Sequence, residues 1–226
     1  GLQDLGVGAG DIVAVQLPNW WEFVVVALAA NRIGAVVNPL MPIFRERELS
    51  YMLGFAGAKV LVVPKVFRGF DHAAMAHGLQ RELPNLRQVV VVDGDGGDGF
   101  ESLLLSGTRR VEPAQPPRLA PDAMAVVMFT SGTTGSPKGV MHSHNTLLAC
   151  NRALAGRFGL SGDDVLLACS PLGHMTGYAA VMLLGISLGA TVVLQDVWEA
   201  RRGVTIMADE GVTYTAASTP FLSDIC

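Results

Sequence analysis

Val126-Val-Met-Phe-Thr-Ser-Gly-Thr-Thr-Gly-Ser-Pro-Lys-Gly-Val140 is the stretch on which the reading of this chain turns. The apolar, β-branched run Ala125–Thr130 predicts a strand, and it empties into a loop of glycine and hydroxyl residues that ends in a lysine. Asn145–Phe158 then reads as a helix. A strand, a glycine loop and a helix form one unit of an alternating α/β chain.

The same alternation extends outward in both directions. Upstream, the strands are Ile12–Leu17, Ala35–Val37, Lys59–Val63 and Gln88–Val92. Between them Trp20–Arg32, Arg45–Phe55 and Asp71–Glu82 read as helices, with Asn19 as the cap of the first. Downstream come strand Val165–Ala168, helix Gly177–Leu188, strand Ala190–Leu194, helix Glu199–Glu210 and strand Val212–Ala216, with a last helix starting near Pro220. Strands that are apolar throughout, alternating with helices, predict mostly parallel sheets with helices on both faces. Residues 93–122 break the rhythm. Asp93-Gly-Asp-Gly-Gly-Asp-Gly99 is polar and glycine-rich, Val111-Glu-Pro-Ala-Gln-Pro-Pro117 is proline-rich, and a short helix near Phe100–Leu105 lies between them. This excursion is either a subdomain break or a long loop within one domain.

Each residue type of the central loop has a use if the ligand is a polyphosphate. Gly132 and Gly135 let backbone N–H groups approach anionic oxygens. Thr130, Ser131, Thr133 and Thr134 can donate hydroxyl hydrogen bonds, and Lys138 adds a point charge. The common nucleoside-triphosphate pattern G-x-x-x-x-G-K-[ST] is not met, because Pro137 stands where the glycine before the lysine belongs. From composition alone, a different phosphate loop and a flexible glycine–threonine turn remain equal readings.

Thr130-Ser-Gly-Thr-Thr-Gly-Ser-Pro-Lys-Gly139 resembles, without interruption, the signature of the adenylate-forming (AMP-binding) superfamily, which includes acyl- and aryl-CoA ligases. Gly10-Asp11-Ile-Val-Ala14 with Pro18-Asn19, Gly34-Ala-Val-Val-Asn-Pro39, His144-Asn145 and Pro171-Leu-Gly-His-Met-Thr-Gly177 resemble further segments of that family in order and spacing. The resemblance implies part of a large N-terminal AMP-binding domain over residues 1–226. It implies ATP and Mg2+ as cofactors, and activation of a carboxylic acid as its acyl-adenylate. Transfer to a thiol follows, most readily that of coenzyme A as co-substrate. The loop Thr130–Lys138 would hold the β- and γ-phosphates, with Lys138 and Thr130 as catalytic groups. His174, Met175 and Gly177 would line the acid pocket; for His174 the plain alternative is a packed histidine at a helix start. An enzyme that loads a carrier protein, and a non-catalytic nucleotide-binding module, are the rival implications. The family's aromatic-Gly-x-Thr-Glu segment, its ribose-binding aspartate, the hinge to the small C-terminal domain and the late lysine are not in this sequence. They are expected beyond Cys226, so the chain is expected to be a fragment that adenylates poorly by itself.

The remaining features exclude other classes. The chain is 50% hydrophobic, which is ample for a core and argues against disorder. A net charge of -4, with the 16 Lys and Arg residues scattered, gives no basic stripe for nucleic acid. Cys150, Cys169 and Cys226 lack zinc-ligand spacing and suggest no disulfide framework. Val165–Gln195 has no Asp, Glu, Lys or Arg, but Pro171 and four glycines interrupt it, so it reads as a buried helix and strand rather than a membrane span. Without a signal-peptide pattern the expected location is the cytoplasm, with peripheral membrane contact if the acid is a fatty acid. The Asp93–Asp98 turn fails the calcium-loop pattern, and Trp20 and Trp21 are expected in the core.

Overall fold

The computed structural model describes residues 1–106, 118–130 and 137–225. The early part of the chain alternates strand and helix, with one small hairpin inserted after the third strand. It runs β1 (Ile12–Val15), α1 (Trp21–Arg32), β2 (Val36–Pro39), α2 (Glu46–Ala56), β3 (Ala58–Pro64), a small hairpin of β4 (Val66–Phe67) and β5 (Phe70–Asp71), α3 (His72–Glu82) and β6 (Gln88–Val92). A π-helical turn, Glu101–Leu105, follows. Then come β7 (Met124–Thr130), β8 (Lys138–Ser143), α4 (His144–Phe158) and β9 (Val165–Ala168). The helix after β9 is α5 (Met175–Gly177), passing through a π turn at Tyr178–Leu183 into α6 (Leu184–Leu188). The chain continues with β10 (Thr191–Leu194), α7 (Ala200–Asp209), β11 (Tyr214–Thr215) and α8 (Thr219–Ser223).

Two main sheets result. The first has the order β6-β3-β1-β2-β7-β8, the second β10-β9-β11. Every pairing in them is parallel except β7–β8, an antiparallel hairpin. β6 and β7 belong to the same sheet, so the excursion over 93–122 joins two strands of one sheet, and the change of sheet falls later, between β8 and β9.

Strand side chains explain why the runs are apolar throughout. Val13 and Val15 of β1, Val60 and Val62 of β3, and Val90 and Val92 of β6 face one core, shared with α1, Tyr178 and the second sheet. Their neighbours Ile12, Ala14, Leu61, Val63, Val89 and Val91 face the other core, under α2 and α3. A strand buried on both faces cannot alternate apolar with polar. Helix α1 buries Phe23, Val26, Ala27 and Ala30, spaced i, i+3, i+4 and i+7, which is one helical stripe. Trp21 lies off that stripe and is 52% exposed, while Trp20 packs partly buried against the core, so only one of the two tryptophans sits where the apolar pattern placed it.

The Asp93–Gly99 turn is held rather than free. Lys65 pairs with Asp95, His77 Nε2 meets Asp98 Oδ2 at 2.8 Å, and Val91 N–H donates to Asp98 O at 2.8 Å. The strand β8 was not foreseen in the sequence; it pairs antiparallel with β7, Thr130 opposite Lys138.

At Gly177, a Cβ would stand 2.4 Å from Pro171 O and 2.5 Å from Ser170 O, both backbone atoms that cannot step aside alone. Gly177→Ala should therefore destabilise by about 1–3 kcal/mol, a fall in melting temperature of roughly 2–4 °C per kcal/mol. Gly156, inside α4, meets nothing within 4 Å, and Gly156→Ala should stabilise by about 0.5–1 kcal/mol. Calorimetry on the two variants tests the packing; equal melting temperatures would contradict it.

Candidate active site

The site is built where strands end. In parallel sheets the carboxyl ends of all strands lie along one edge, and that edge is where ligands collect in such folds. β1, β2 and β7 run parallel and finish there at Val15, Pro39 and Thr130. Asn38 reinforces the pairing of the last two, its Nδ2–H donating to Val127 O at 2.9 Å.

Thr130 and Lys138 are cross-strand partners in the β7–β8 register, both exposed. Directly opposite residues of an antiparallel pair share a face of the sheet. The hydroxyl and the ammonium therefore bracket the intervening loop from its two ends, on one side. Ser131, Gly132, Thr133, Thr134 and Gly135, the other expected phosphate ligands, lie outside the described residues. Behind the loop mouth stand Phe129, Tyr51 and Phe55: Phe55 stacks on Tyr51 at 5.8 Å, and Phe129 meets both edge-on.

The second expected group comes from the turn Pro171–Gly177. Leu172 is fully buried. A Cβ on Gly173 would lie 2.6 Å from Leu40 O and 2.8 Å from Met41 N, so the bare backbone of Gly173 is what lets this turn seat on the chain leaving β2. His174 is exposed and caps α5: its Nδ1 accepts from Thr176 N–H at 3.2 Å and lies 3.1 Å from Thr176 Oγ1. Met175 is half-buried against the core, and Gly177 is buried against the turn's own carbonyls. Tyr178 and Met182, residues of the following π turn, are fully buried; Tyr178 meets Phe23 at 6.2 Å, and burial pushes its phenol well above the usual range.

Between the Met41–Arg45 turn and the second sheet opens a cavity of about 460 Å3, walled by Met41, Arg45, Pro171, Trp198 and Phe221. Thr130, Lys138 and His174 do not line it. The structure thus brings Pro171–Gly177 onto the backbone beyond β2, and the loop mouth one strand over, at the same sheet edge. Among the described residues, no group of three or more His, Cys, Asp and Glu side chains is placed to hold a metal. No helix of the described residues is long and apolar enough to cross a membrane.

Comparison with known proteins gives the family of the chain. The model of the AMP-binding enzyme family matches residues 1–226. The chain belongs to that family. It is 37% identical over 222 residues to the medium-chain fatty-acid–CoA ligase of Escherichia coli, covering 97% of this chain and 39% of that protein. It is also 37% identical over 225 residues to the 2-hydroxy-7-methoxy-5-methyl-1-naphthoate–CoA ligase of Streptomyces carzinostaticus, with 95% and 40% covered. The salicyl-AMP ligase / salicyl-S-ArCP synthetase of Mycobacterium tuberculosis is 35% identical over 216 residues, with 95% and 38% covered. Among solved structures, a long-chain-fatty-acid–CoA ligase of Archaeoglobus fulgidus superposes with a TM-score of 0.84 at 26% identity, covering 99% of this chain and 43% of that one. Mycobacterium smegmatis MbtA gives 0.80 at 31% identity, with 94% and 39% covered. The chain spans about 40% of the length of the curated relatives it matches.

Two buried carboxamides of this AMP-binding chain make bonds that the sequence motifs do not reveal. Asn19, read as the cap of α1, caps nothing: the N-cap is Trp20, without a side-chain bond. The Asn19 carboxamide instead crosses to the second sheet, donating to Ala168 O and Ser170 O at 2.9 Å and to Gln195 O at 3.1 Å, and accepting from Leu172 N–H at 2.8 Å. Gln16, fully buried, donates to Met41 O at 3.1 Å and Phe44 O at 3.0 Å, fixing the cavity-wall turn, and its Oε1 lies 3.4 Å from Nδ1 of the buried His72. Arg45 completes the turn, donating to Pro42 O and Phe44 O with its guanidinium 3.9 Å over the Phe70 ring.

Burial, with the Arg45 charge nearby, pushes the His72 pKa down to about 4, although Asp71 pulls the other way. The folded state then holds His72 neutral where the unfolded chain, at about 6.5, begins to bind a proton. Stability from this group is full above about pH 6.5 and declines as pH falls toward about 4. Urea midpoints measured across that window should fall for the wild type and fall less for His72→Phe, which cannot take up the proton; parallel profiles would contradict a buried neutral histidine.

Proposed function

We propose that the protein carrying this chain activates a carboxylic acid with ATP and passes the acyl group to a thiol. In the first step a carboxylate oxygen attacks the α-phosphorus, the bond to the β-phosphate oxygen breaks, and acyl-adenylate and pyrophosphate form. In the second, a thiol sulfur attacks the acyl carbonyl, AMP leaves with the bonding pair, and the thiol proton passes to solvent. The observation that carries the proposal is the register pairing of Thr130 with Lys138 at the mouth of the family's signature loop. A hydroxyl donor and an ammonium on one face suit the β- and γ-phosphates, whose charge must be offset while an anion attacks beside them. Mg2+ would supply further charge neutralisation when bound.

The acid side is assigned to Pro171–Gly177, with His174 at the open end of the turn and Met175 against the core. Coenzyme A is the favoured acceptor, because relatives at 37% identity are named as CoA ligases for a medium-chain fatty acid and for a substituted naphthoate. A medium-chain or aromatic acid is the corresponding substrate class. A carrier-protein thiol is the second reading, supported by the relative named as a salicyl-S-ArCP synthetase and by the likeness to MbtA. The domain assignment follows: residues 1–226 form part of the large nucleotide-binding domain.

In the intact gene product, Lys138→Ala should slow acid-dependent formation of pyrophosphate by about 10-fold or more while leaving acid binding within about twofold. Single-turnover rates and acid titrations check this; an unchanged rate would remove Lys138 from the phosphate site.

A further inference from the structure

Two buried asparagines stand at the ends of the first two strands, and they reach in different directions. Asn38 stays within the first sheet and ties β2 to β7, the strand that leads into the loop. Asn19 leaves the first sheet altogether. Its partners are 149 to 176 residues away in the chain and belong to the ends of β9 and β10 and to the turn that presents His174. Only 5% of Asn19 is exposed, so these bonds are made out of water, where a misplaced partner is not replaced by solvent.

The Leu172 side chain is sunk in the shared core, and the backbone of the turn is held at three points. Leu172 N–H is held by Asn19 Oδ1, Gly173 rests on the Leu40–Met41 backbone, and His174 N–H donates back to Pro171 O at 3.0 Å. Two of these three contacts come from the chain leaving β1 and β2. The carboxamide also sets the second sheet, because its two N–H hydrogens are shared among carbonyls of Ala168, Ser170 and Gln195. Shifting Asn19 shifts both the turn and the strand that feeds it.

We propose that Asn19 is a positioning residue for the acid substrate, setting where Pro171–Gly177 stands relative to the loop-bearing sheet, while Asn38 serves the loop strand. The inference rests on the reading of that turn as the acid side of an adenylating site. Asn19 touches no reacting atom; it acts through Leu172. A displacement of about 1 Å in a positioning segment is enough to cost on the order of 100-fold in turnover. The effect should therefore fall on the acid and spare ATP.

The test uses the intact gene product with acid-dependent ATP–pyrophosphate exchange. Asn19→Asp keeps the acceptor for Leu172 N–H but sets a carboxylate oxygen against three carbonyls; Asn19→Leu removes both functions. Each should raise KM for the acid by about 10-fold or more and leave KM for ATP within about twofold. Leu79→Ala, buried in α3 on the opposite face of the first sheet, serves as the control matched in lost melting temperature, and it should move neither constant. Parallel rises in both constants, or an unchanged acid KM, would overturn the proposal. Hydrogen exchange supplies a readout without catalysis: the Leu172 amide should exchange on the order of 10-fold faster in Asn19→Leu, with the β7 amides unchanged. Unchanged Leu172 exchange would overturn it equally. A wild type without acid-dependent exchange would overturn the ligase reading and the acid role with it, and amide exchange would still show whether the tether itself exists.

Discussion

The Asn19 carboxamide is the constraint on which the arrangement of this molecule depends. One side chain in the segment that leaves β1 satisfies three carbonyls and one N–H of the second sheet and its turn, at 2.8–3.1 Å. An amide of this kind does what a peptide group does in a sheet, but sideways, between two sheets whose strands do not pair. Because all four partners lie at carboxyl ends of strands or just beyond them, the bond network brings the carboxyl edges of the two sheets together rather than their opposite ends. The apolar layer of α1, Tyr178 and Met182 fills the space between the sheets but is non-directional. It favours contact without fixing which edge meets which.

From that junction the site follows by short steps. The chain leaving β2 offers bare backbone at Leu40–Met41, and only a glycine at 173 can lie on it. The neighbouring turn, Met41–Arg45, is held from beneath by Gln16 and from the side by the Arg45–Phe70 contact. One strand further, β7 and β8 carry Thr130 and Lys138 to the loop mouth as a register pair. Asn19 and Gln16 hold the Pro171–Gly177 and Met41–Arg45 turns through carboxamide bonds made largely out of water.

The order and type of most elements were legible in the sequence because the strands are buried on both faces and the helices carry apolar stripes. The family was legible from one uninterrupted loop motif, Thr130–Gly139, which the family match over residues 1–226 bears out. What was not legible has physical reasons. β8 lies at the sheet edge with little of it buried, so Lys138–Ser143 shows neither an apolar run nor a clean alternation. Asn19 follows a strand and precedes a helix, which is the local pattern of a cap, and its true partners are too distant in sequence to leave a local mark. Trp21 sits in an apolar helix yet on the side away from its buried stripe, about 100° around the axis from Trp20, a placement that hydrophobicity alone does not encode. The residues expected to surround the acid fare similarly: the motif located Pro171–Gly177, but that Gly177 packs on carbonyls and His174 caps a helix required the backbone geometry.

The most direct test of this account is exchange of labelled pyrophosphate into ATP by the intact gene product, with and without a panel of medium-chain and aromatic carboxylic acids. The account predicts exchange that depends on at least one of these acids and is absent without any. Exchange independent of acid, or none with any member of the panel despite demonstrable ATP binding, would contradict the assignment of this sheet edge to acid activation.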